Sequence, residues 1–309
     1  MSRVVALPAA SDLAAAEQVV RRVLAQTPVV EALGVCLKVE TVQPTGSFKV
    51  RGALAALDAL PPGPVVTASA GNHGLGVAKA AALLGRQATV VVPETASMAK
   101  VERLREFAVE LVLAGSSYDE AEAHALGLEG SYVSPYNDPL VIAGQRTLGV
   151  ELGEQLAGPL TVVVPAGGGG LLAGVALWAS ERADVRVVGV EAAASRALSS
   201  SVEAARVVEV EVGPTLADGI AGGLEPGSIT VDIAARAVDG FAAVEESELR
   251  AAMRALALEA GLVAEGAGAA ATAAVLAGRV ADERPGARVV AVVSGRNLTR
   301  EVLVDVLAS

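Results

Sequence analysis

The chain has very few residues of several chemically active types. Its 309 residues include one cysteine, Cys36, and two histidines, His73 and His124. A single cysteine permits no internal disulfide, and so few cysteines and histidines cannot build a metal centre based on them. The first residues lack a signal-peptide pattern, since Asp12 and Glu17 lie close to the N-terminus. We therefore expect a cytoplasmic protein.

Aromatic residues and positive charge are also scarce. Aromatic side chains make up 2% of the chain, and 24 Lys and Arg against 35 Asp and Glu give a formal net charge of -11. Phosphate backbones and anionic membrane surfaces repel such a protein, so neither is an expected partner. Residues 159–180, within the longest uncharged run, contain Pro165 and four successive glycines, which predicts a strand, a loop and a helix rather than a membrane span.

Apolar residues are abundant, at 52%, and follow a repeating pattern. Short β-branched runs alternate with longer Ala/Leu segments, which predicts an α/β fold with parallel strands and crossover helices. Strands are predicted at residues 35–40, 65–68, 88–92, 110–113, 161–164, 185–190 and 288–293. Helices are predicted at residues 11–26, 73–84, 97–107, 118–128, 139–156, 171–182, 246–260, 267–277 and 298–307. Since ligands bind at strand ends in such sheets, the loops that follow strands are the candidate sites.

The first candidate loop contains Lys49, one of only four lysines beside 20 arginines. Lys49 stands between a Pro-Thr-Gly-Ser turn and a helical Ala/Leu run. Positive charge from the helix dipole favours a neutral amine there, and a neutral amine is what a Schiff-base nucleophile requires. A solvated lysine at a helix N-terminus is the alternative, and position alone leaves it open.

The second candidate loop is a run of four glycines between a predicted strand and a predicted helix. Backbone amides in this layout bind phosphate. Gly168, Gly170 and Ala173 also fit the dinucleotide pattern G-x-G-x-x-A, and Glu191 closes the next strand, where a ribose-binding acid would lie. A dinucleotide-binding protein is therefore a second hypothesis, and a tight packing turn is a third.

Two further loops carry polar side chains. Residues 69–74, SAGNHG, open a helix and suit a second anion such as a carboxylate, with a capping turn as the alternative. No Ser-His-acid triad order is recognisable around His73, so we expect it to support the site rather than act as its base. Ser294 ends the last predicted strand, where it could meet a ligand ring or cap a helix, although Asn297 is the better capping residue.

In combination, five segments resemble the serine/threonine dehydratases, which are fold-type II enzymes that use pyridoxal 5'-phosphate (PLP). The segments are residues 40–53 (ETVQPTGSFKVRGA), 69–74 (SAGNHG), 144–147 (GQRT), 167–170 (GGGG) and 294–297 (SGRN). They occur in order over residues 35–297, and agreement among independent loops makes the combination specific. The resemblance favours Lys49 as a Schiff-base lysine over the solvated alternative.

The resemblance implies a role for each loop. Lys49, next to Phe48, would carry PLP as a Schiff base and remove the α-proton of the substrate. The phosphate would bind Gly167, Gly168, Gly169 and Gly170, the phenolic oxygen Asn72, and the pyridine nitrogen Ser294. The substrate carboxylate would bind Ser69, Ala70, Gly71, Asn72 and His73. A serine hydroxyl cannot protonate the ring nitrogen as a carboxylic acid would, which favours β-elimination over transamination.

The implied activity is that of a carbon–oxygen lyase, a dehydratase or ammonia-lyase that converts L-threonine or L-serine to a 2-oxo acid and ammonia. Serine racemase is similar but has a serine immediately before the glycine of the carboxylate loop. Ala70 stands there, so negligible racemase activity is expected. Some relatives bind a divalent cation through two acids six residues apart; Ala197 replaces the second acid after Glu191, so no metal is expected.

Arg146 and Arg296 replace small residues of the family motifs. Two guanidinium groups near the cleft would suit a carboxylate on the substrate side chain, which gives a 3-hydroxyaspartate-type dehydratase as an alternative. In the other interpretation, both arginines point to solvent or to a partner subunit.

The resemblance also implies the domain organisation. Two lobes are expected, each with a mostly parallel twisted sheet flanked by helices, and with PLP between them. Residues 1–44 and 145–309 would form a large PLP-binding domain, and residues 45–144 a small domain that binds the substrate carboxylate. A homodimer without a C-terminal regulatory domain is expected.

Overall fold

The structure is a computed structural model that describes residues 5–308. The described residues do not include residues 1–4 and 309 of the predicted large domain. The first part of the segment expected to lack a signal peptide lies outside them as well. Helices α1 to α12 are Ala10–Val23, Lys49–Ala59, Asn72–Leu84, Met98–Arg105, Tyr118–Leu126, Pro139–Gln155, Gly170–Ala179, Ala197–Glu203, Ile229–Ala237, Glu246–Leu258, Gly266–Leu276 and Arg300–Ala308. Strands β1 to β10 are Val29–Ala32, Val35–Val39, Val65–Ala68, Ala88–Val92, Glu110–Leu113, Ser131–Tyr132, Leu160–Pro165, Val185–Ala192, Gly240–Val244 and Arg288–Val293.

The strands form two sheets. The larger sheet has the order β1-β2-β10-β7-β8-β9, and the smaller has the order β5-β4-β3-β6. Only the β1–β2 pair is antiparallel; every other pairing between the named strands is parallel. The predicted α/β class with mostly parallel sheets is therefore confirmed.

Both faces of the larger sheet are covered by helices. In β7, Val162 and Val164 pack in one hydrophobic cluster with Leu172 of α7, while Val163 packs in another with Ala270 of α11. Alternate residues of a strand point to opposite faces, so an uninterrupted apolar strand is what a sheet buried on both sides requires.

Helix α6 lies close to its neighbours because it has glycine where other residues would collide. A Cβ added at Gly149 would lie 2.6 Å from the Trp178 ring of α7, and one at Gly144 would lie 2.6 Å from the Cα of Gly52 in α2. Small side chains thus replace aromatic bulk as the means of filling the core. This packing fixes α2, and with it Lys49, against α6.

A buried network of charged side chains also anchors α2. Arg51 is fully buried and donates to both carboxylate oxygens of Glu40 at 2.8 Å and to those of Glu151 at 2.7 and 2.9 Å. Lys38, also fully buried, donates to Glu151 at 2.6 Å. The network connects β2, α2 and α6. Arg51, at its centre, lies two residues after Lys49 in the chain.

The structure adds elements that the pattern did not predict. These are the short strands β1, β6 and β9 and the helices α8 and α9, while α2 was expected only as a helical run after Lys49. Strands β1, β6 and β9 are largely half-buried, so they lack the continuous apolar run that marks the central strands. The larger sheet draws its strands from residues 29–39 and 160–293, and the smaller from 65–132. The boundary expected at residues 144 and 145 falls inside α6, and the division into two domains stays a prediction.

Candidate active site

Four loops meet at one cavity of about 780 Å³. Strands β2, β10 and β7 are parallel neighbours, so the loops that follow them leave the same edge of the larger sheet. These loops carry Lys49, Ser294 and residues 167–170, respectively. The fourth loop, residues 69–73, follows β3 of the smaller sheet and faces the same cavity. Every residue to which the dehydratase resemblance assigns the cofactor or the substrate carboxylate lines this cavity.

Lys49 is the first residue of α2 and lies half-buried in the cavity wall. Its Nζ donates to the backbone oxygen of Pro135 at 2.8 Å and lies 5.2 Å from the centre of the Phe48 ring. Burial lowers the pKa of the Lys49 amine from 10.5 to about 8. A substantial fraction of this amine is therefore neutral at mildly alkaline pH, and a neutral amine can attack an aldehyde.

Backbone hydrogen bonds hold the Lys49 and Ser294 loops together. The amide of Phe48 donates to the backbone oxygen of Ser294 at 3.1 Å, and that of Arg296 donates to the backbone oxygen of Gly46 at 2.9 Å. Ser294 is 4% exposed and lines the cavity. The lysine and the serine hydroxyl are thus fixed relative to each other by main-chain contacts.

The glycine loop forms an uncapped helix N-terminus beside the cavity. Gly169 adopts a left-handed φ of 85°, and no side chain caps α7. The first amides of a helix have no partner within it, and the helix dipole attracts negative charge to them. Gly167 and Gly170 have no room for a side chain, because an added Cβ would lie 2.7 Å from Ile220 Cα and 2.9 Å from Tyr136 Cα, respectively. The loop is built to let an anion approach the main chain.

The Ser69 loop opens helix α3 on the opposite side of the cavity. Ser69 Oγ accepts from the amide of Gly71 at 3.2 Å, and no side chain caps the helix. Nε2 of His73 lies 3.1 Å from the backbone oxygen of Val133, which can only accept, so Nε2 carries the proton. Burial, helped by the nearby charge of Lys49, lowers the pKa of His73 to about 3. His73 is therefore neutral and a poor base, in keeping with a supporting role.

Two side chains from the C-terminal segments of the chain hold the side-chain amide of Asn72. Its Nδ2 donates to Oε1 of Glu265 at 2.6 Å, and its Oδ1 accepts from Nδ2 of Asn297. Asn297 also donates to the backbone oxygen of Thr45 at 2.8 Å and accepts from Nη2 of Arg103 at 2.9 Å. Asn297 therefore does not cap the last helix; α12 begins at Arg300, and Thr299 contacts its first turn.

Residues 20–295 match the family described as Pyridoxal-phosphate dependent enzyme. L-threonine dehydratase catabolic TdcB of Escherichia coli is 38% identical over 271 residues, which cover 85% of this chain and 82% of that protein. The chain belongs to this family. Its cofactor is accordingly pyridoxal phosphate, and the resemblance to serine/threonine dehydratases is confirmed.

Other relatives agree in fold over most of the chain. L-threonine ammonia-lyase of Thermotoga maritima is 43% identical over 249 residues, which cover 78% of this chain but only 62% of that protein. The solved structure of a threonine deaminase from T.th. has a TM-score of 0.85 at 36% identity and covers 94% of this chain and 99% of that one. Maize serine racemase has a TM-score of 0.90 at 26% identity, with 98% of both chains covered.

The residues around the cavity fit the cofactor of the family. A buried amine of lowered pKa suits an aldehyde, and the uncapped glycine loop suits a phosphate; both open on one cavity with Ser294 and Asn72 between them. Pyridoxal phosphate would be held by these four elements. Their individual roles remain predictions of the resemblance.

The structure and the comparisons do not favour the two alternatives from the sequence. Arg146 pairs with Glu181 at 2.8 Å, and Arg296 is exposed and donates to the backbone oxygen of Thr41; neither lines the cavity. They cannot recognise an acidic substrate there. Glu191 is 1% exposed and accepts from the amides of Leu198 and Ser199, so it caps α8 and cannot bind a ribose. The dinucleotide hypothesis is therefore left without the acidic residue, Glu191, that it assigned to the ribose.

Sequence patterns did not reveal three further residues of the cavity wall, Arg103, Tyr136 and Glu265, nor the side-chain contacts of Asn297. Glu265 precedes a Gly/Ala-rich helix and has no local motif around it. Tyr136 lies beside Lys49's acceptor Pro135, and its ring covers Gly168. Their function depends on contacts between segments far apart in the chain, which a local pattern does not record.

Proposed function

We propose that this protein is a PLP-dependent dehydratase, or ammonia-lyase, that converts L-threonine or L-serine to a 2-oxo acid and ammonia. The observation that carries the proposal is that the Lys49 amine, whose pKa is lowered, lines the same cavity as the glycine loop and the second helix N-terminus at residues 69–73. The names of the threonine ammonia-lyase and threonine dehydratase relatives support the same reaction.

Each element of the site contributes one physical task. The amides at the start of α7 hold the cofactor phosphate, and those of residues 69–73 hold the substrate carboxylate. When bound, pyridoxal phosphate supplies an electron sink for the pair left on the substrate α-carbon. Lys49 Nζ would accept the α-proton as general base when its amine is neutral. The Ser294 hydroxyl would hold the ring nitrogen by a hydrogen bond and could not protonate it fully, which would favour loss of the β-hydroxyl.

Ala70 supports elimination rather than racemization. Inversion at the α-carbon requires a second proton donor on the face opposite the first base, and a methyl group at this position cannot hold a proton. We therefore propose that D-serine accumulates from L-serine far more slowly than pyruvate does. Comparable rates of the two products, measured by chiral chromatography and by a 2-oxo acid assay, would contradict this assignment.

We also propose that the protein is a cytoplasmic homodimer. No helix in the described range, residues 5–308, is long and apolar enough to cross a membrane. Leu258, Leu276 and Val304 remain 61%, 45% and 57% exposed on α10, α11 and α12, and exposed apolar side chains on adjoining helices are suited to a subunit interface. Light scattering on the purified protein measures the mass directly.

The deciding experiment is a turnover assay with matched lysine variants. Purified protein loaded with pyridoxal phosphate should release 2-oxo acid and ammonia in equal amounts from L-threonine or L-serine. Lys49→Ala should abolish release, whereas Lys79→Ala, which removes a half-buried lysine outside the cavity, should retain it. Absence of 2-oxo acid from both substrates, or full turnover by Lys49→Ala, would refute the proposal.

A further inference from the structure

A chain of hydrogen bonds crosses the cavity from Arg103 to Glu265. Arg103 donates to Asn297, Asn297 donates to Asn72, and Asn72 donates to Glu265. The four residues come from α4, the Ser294 loop, the start of α3 and the residue before α11, so the chain ties separate segments together at the cavity wall.

The direction of every bond in this chain is fixed by its ends. A guanidinium group can only donate, so Asn297 must turn its Oδ1 to Arg103. The Thr45 backbone oxygen can only accept, which requires Nδ2 of Asn297 on that side. Nδ2 of Asn297 then donates its second hydrogen to Asn72, so Asn72 presents Oδ1 to Asn297 and Nδ2 to the carboxyl group of Glu265.

This arrangement leaves one donor of Asn72 unused by the chain. An amide nitrogen carries two hydrogens, and Glu265 Oε1 takes only one of them, at 2.6 Å. Both Asn72 and Glu265 line the cavity. The second hydrogen is the one side-chain donor that Asn72 can offer to a ligand oxygen, and its direction is set by the bond to Glu265.

We propose that Glu265 is a positioning residue that fixes the Asn72 amide so that its remaining N–H points to the ring oxygen of the cofactor. The inference rests on the proposed function, because it assigns Asn72 to that oxygen. The carboxyl side chain of Glu265 is available for this task because it does not cap its own helix, and its backbone amide is held by Gly295 at 3.0 Å.

The charge state of Glu265 offers a signature that a purely structural contact lacks. Burial, partly offset by the Asn72 hydrogen bond, raises the pKa of Glu265 to about 7; the charge of Asp218 also raises it, and the Asn297 backbone amide and Lys100 lower it. Asp218 and Lys100 form an ion pair at 3.1 Å, and Arg103 is connected to Asn72, the partner of Glu265, through Asn297. The contact to Asn72 therefore changes strength near neutral pH, and the absorbance of the bound cofactor should report it.

The test compares Glu265→Gln, Glu265→Leu and the control Glu209→Gln by cofactor affinity and by absorbance. Glu209 is an exposed carboxylate at the same cavity, so its replacement removes one negative charge without touching Asn72. Titration of apo-protein with pyridoxal phosphate should show affinity reduced about tenfold in Glu265→Leu, the effect of losing one hydrogen bond to a charged group. Glu209→Gln should match the wild type.

The glutamine variant separates charge from hydrogen bonding. Its Oε1 can still accept from Asn72, so the protein should fold and bind cofactor, but the change of the visible band with a midpoint near pH 7 should disappear. That change should persist in Glu209→Gln. If Glu265→Leu does not fold, the glutamine variant still decides.

The outcomes distinguish this inference from the proposed function. Suppose that the wild-type protein shows a normal visible band and normal turnover. Unchanged cofactor affinity in Glu265→Leu, or an unchanged pH response in Glu265→Gln, would then overturn the role of Glu265 alone. A wild-type protein that takes up no cofactor would overturn the proposed function and this inference together.

Discussion

Replacement of Arg51 by methionine should strongly destabilise the protein. Methionine keeps an unbranched apolar side chain and removes the guanidinium group, which leaves the fully buried Glu40 without its main partner. Burial alone would raise the pKa of Glu40, but the charge and hydrogen bonds of Arg51 hold it below its ordinary value. The stabilisation is therefore present above the ordinary carboxyl range and lost as the pH falls through the lowered pKa.

The magnitude follows from burial. Removing one partner of a buried ion pair leaves an uncompensated charge and costs about 3–5 kcal/mol, even where replacing both partners by apolar groups would be neutral. Lys38 donates to Glu151, and its charge also favours the ionised form of Glu40, but it makes no hydrogen bond to Glu40 and so lessens the loss without replacing Arg51. Glu40 retains the Thr27 hydroxyl at 2.6 Å and the Gln43 amide at 3.2 Å, neither of which carries charge.

Urea denaturation at pH 7, followed by circular dichroism, measures the free energy of unfolding. The matched control is Arg22→Met, because Arg22 pairs with Asp58 at 3.0 Å with side chains 63% and 35% exposed. Exposed pairs contribute about 0–1 kcal/mol, so this variant should lose little. Equal losses in the two variants would show that the buried network does not stabilise the fold as argued.

Two further predictions concern the site. The rate at which apo-protein couples to pyridoxal phosphate should rise about tenfold per pH unit below pH 8 and level off above it. The reason is that the pKa of Lys49 is lowered to about 8 and that only the neutral amine attacks the aldehyde. A rate that still rises at pH 10 would indicate a lysine of ordinary pKa. Gly167→Ala should weaken cofactor affinity about tenfold, because its Cβ would lie 2.7 Å from Ile220 Cα and displace the phosphate loop, whereas Gly223→Ala, with no atom within 4 Å of the added Cβ, should bind as the wild type does. Fluorescence titration measures both affinities, and equal values would contradict the packing argument.

Much of the site could be predicted because its residues lie in short local patterns. A strand, a turn rich in glycine or proline and a helix occur together at Lys49, at residues 69–73 and at residues 167–170, and each pattern is contained in about ten residues. Parallel strands bring their ends to one edge, so finding the loops was enough to predict one cavity. The central strands were found for a similar reason, since burial on both faces requires continuous apolar runs.

The expectations that failed concerned side chains whose role depends on distant partners. Arg146 and Arg296 lie within family motifs, yet Glu181 and the Thr41 carbonyl hold them away from the cavity. Glu191 lies at the spacing expected of a ribose-binding acid, but its carboxylate accepts hydrogen bonds from the first amides of α8. In each case the spacing along the chain was correct, and a contact made in three dimensions decided the chemistry.

The sequence by itself determined the α/β fold, the family and the lysine and glycine loops, because backbone geometry and local residue type dictate these features. Only the tertiary structure decided which polar groups face the cavity and in what state. Arg51 and Glu40 meet across 11 positions, and Asn72 and Glu265 across 193. Burial at such meeting points sets the pKa of Lys49 and orients Asn72, and burial belongs to the folded chain rather than to any segment of it.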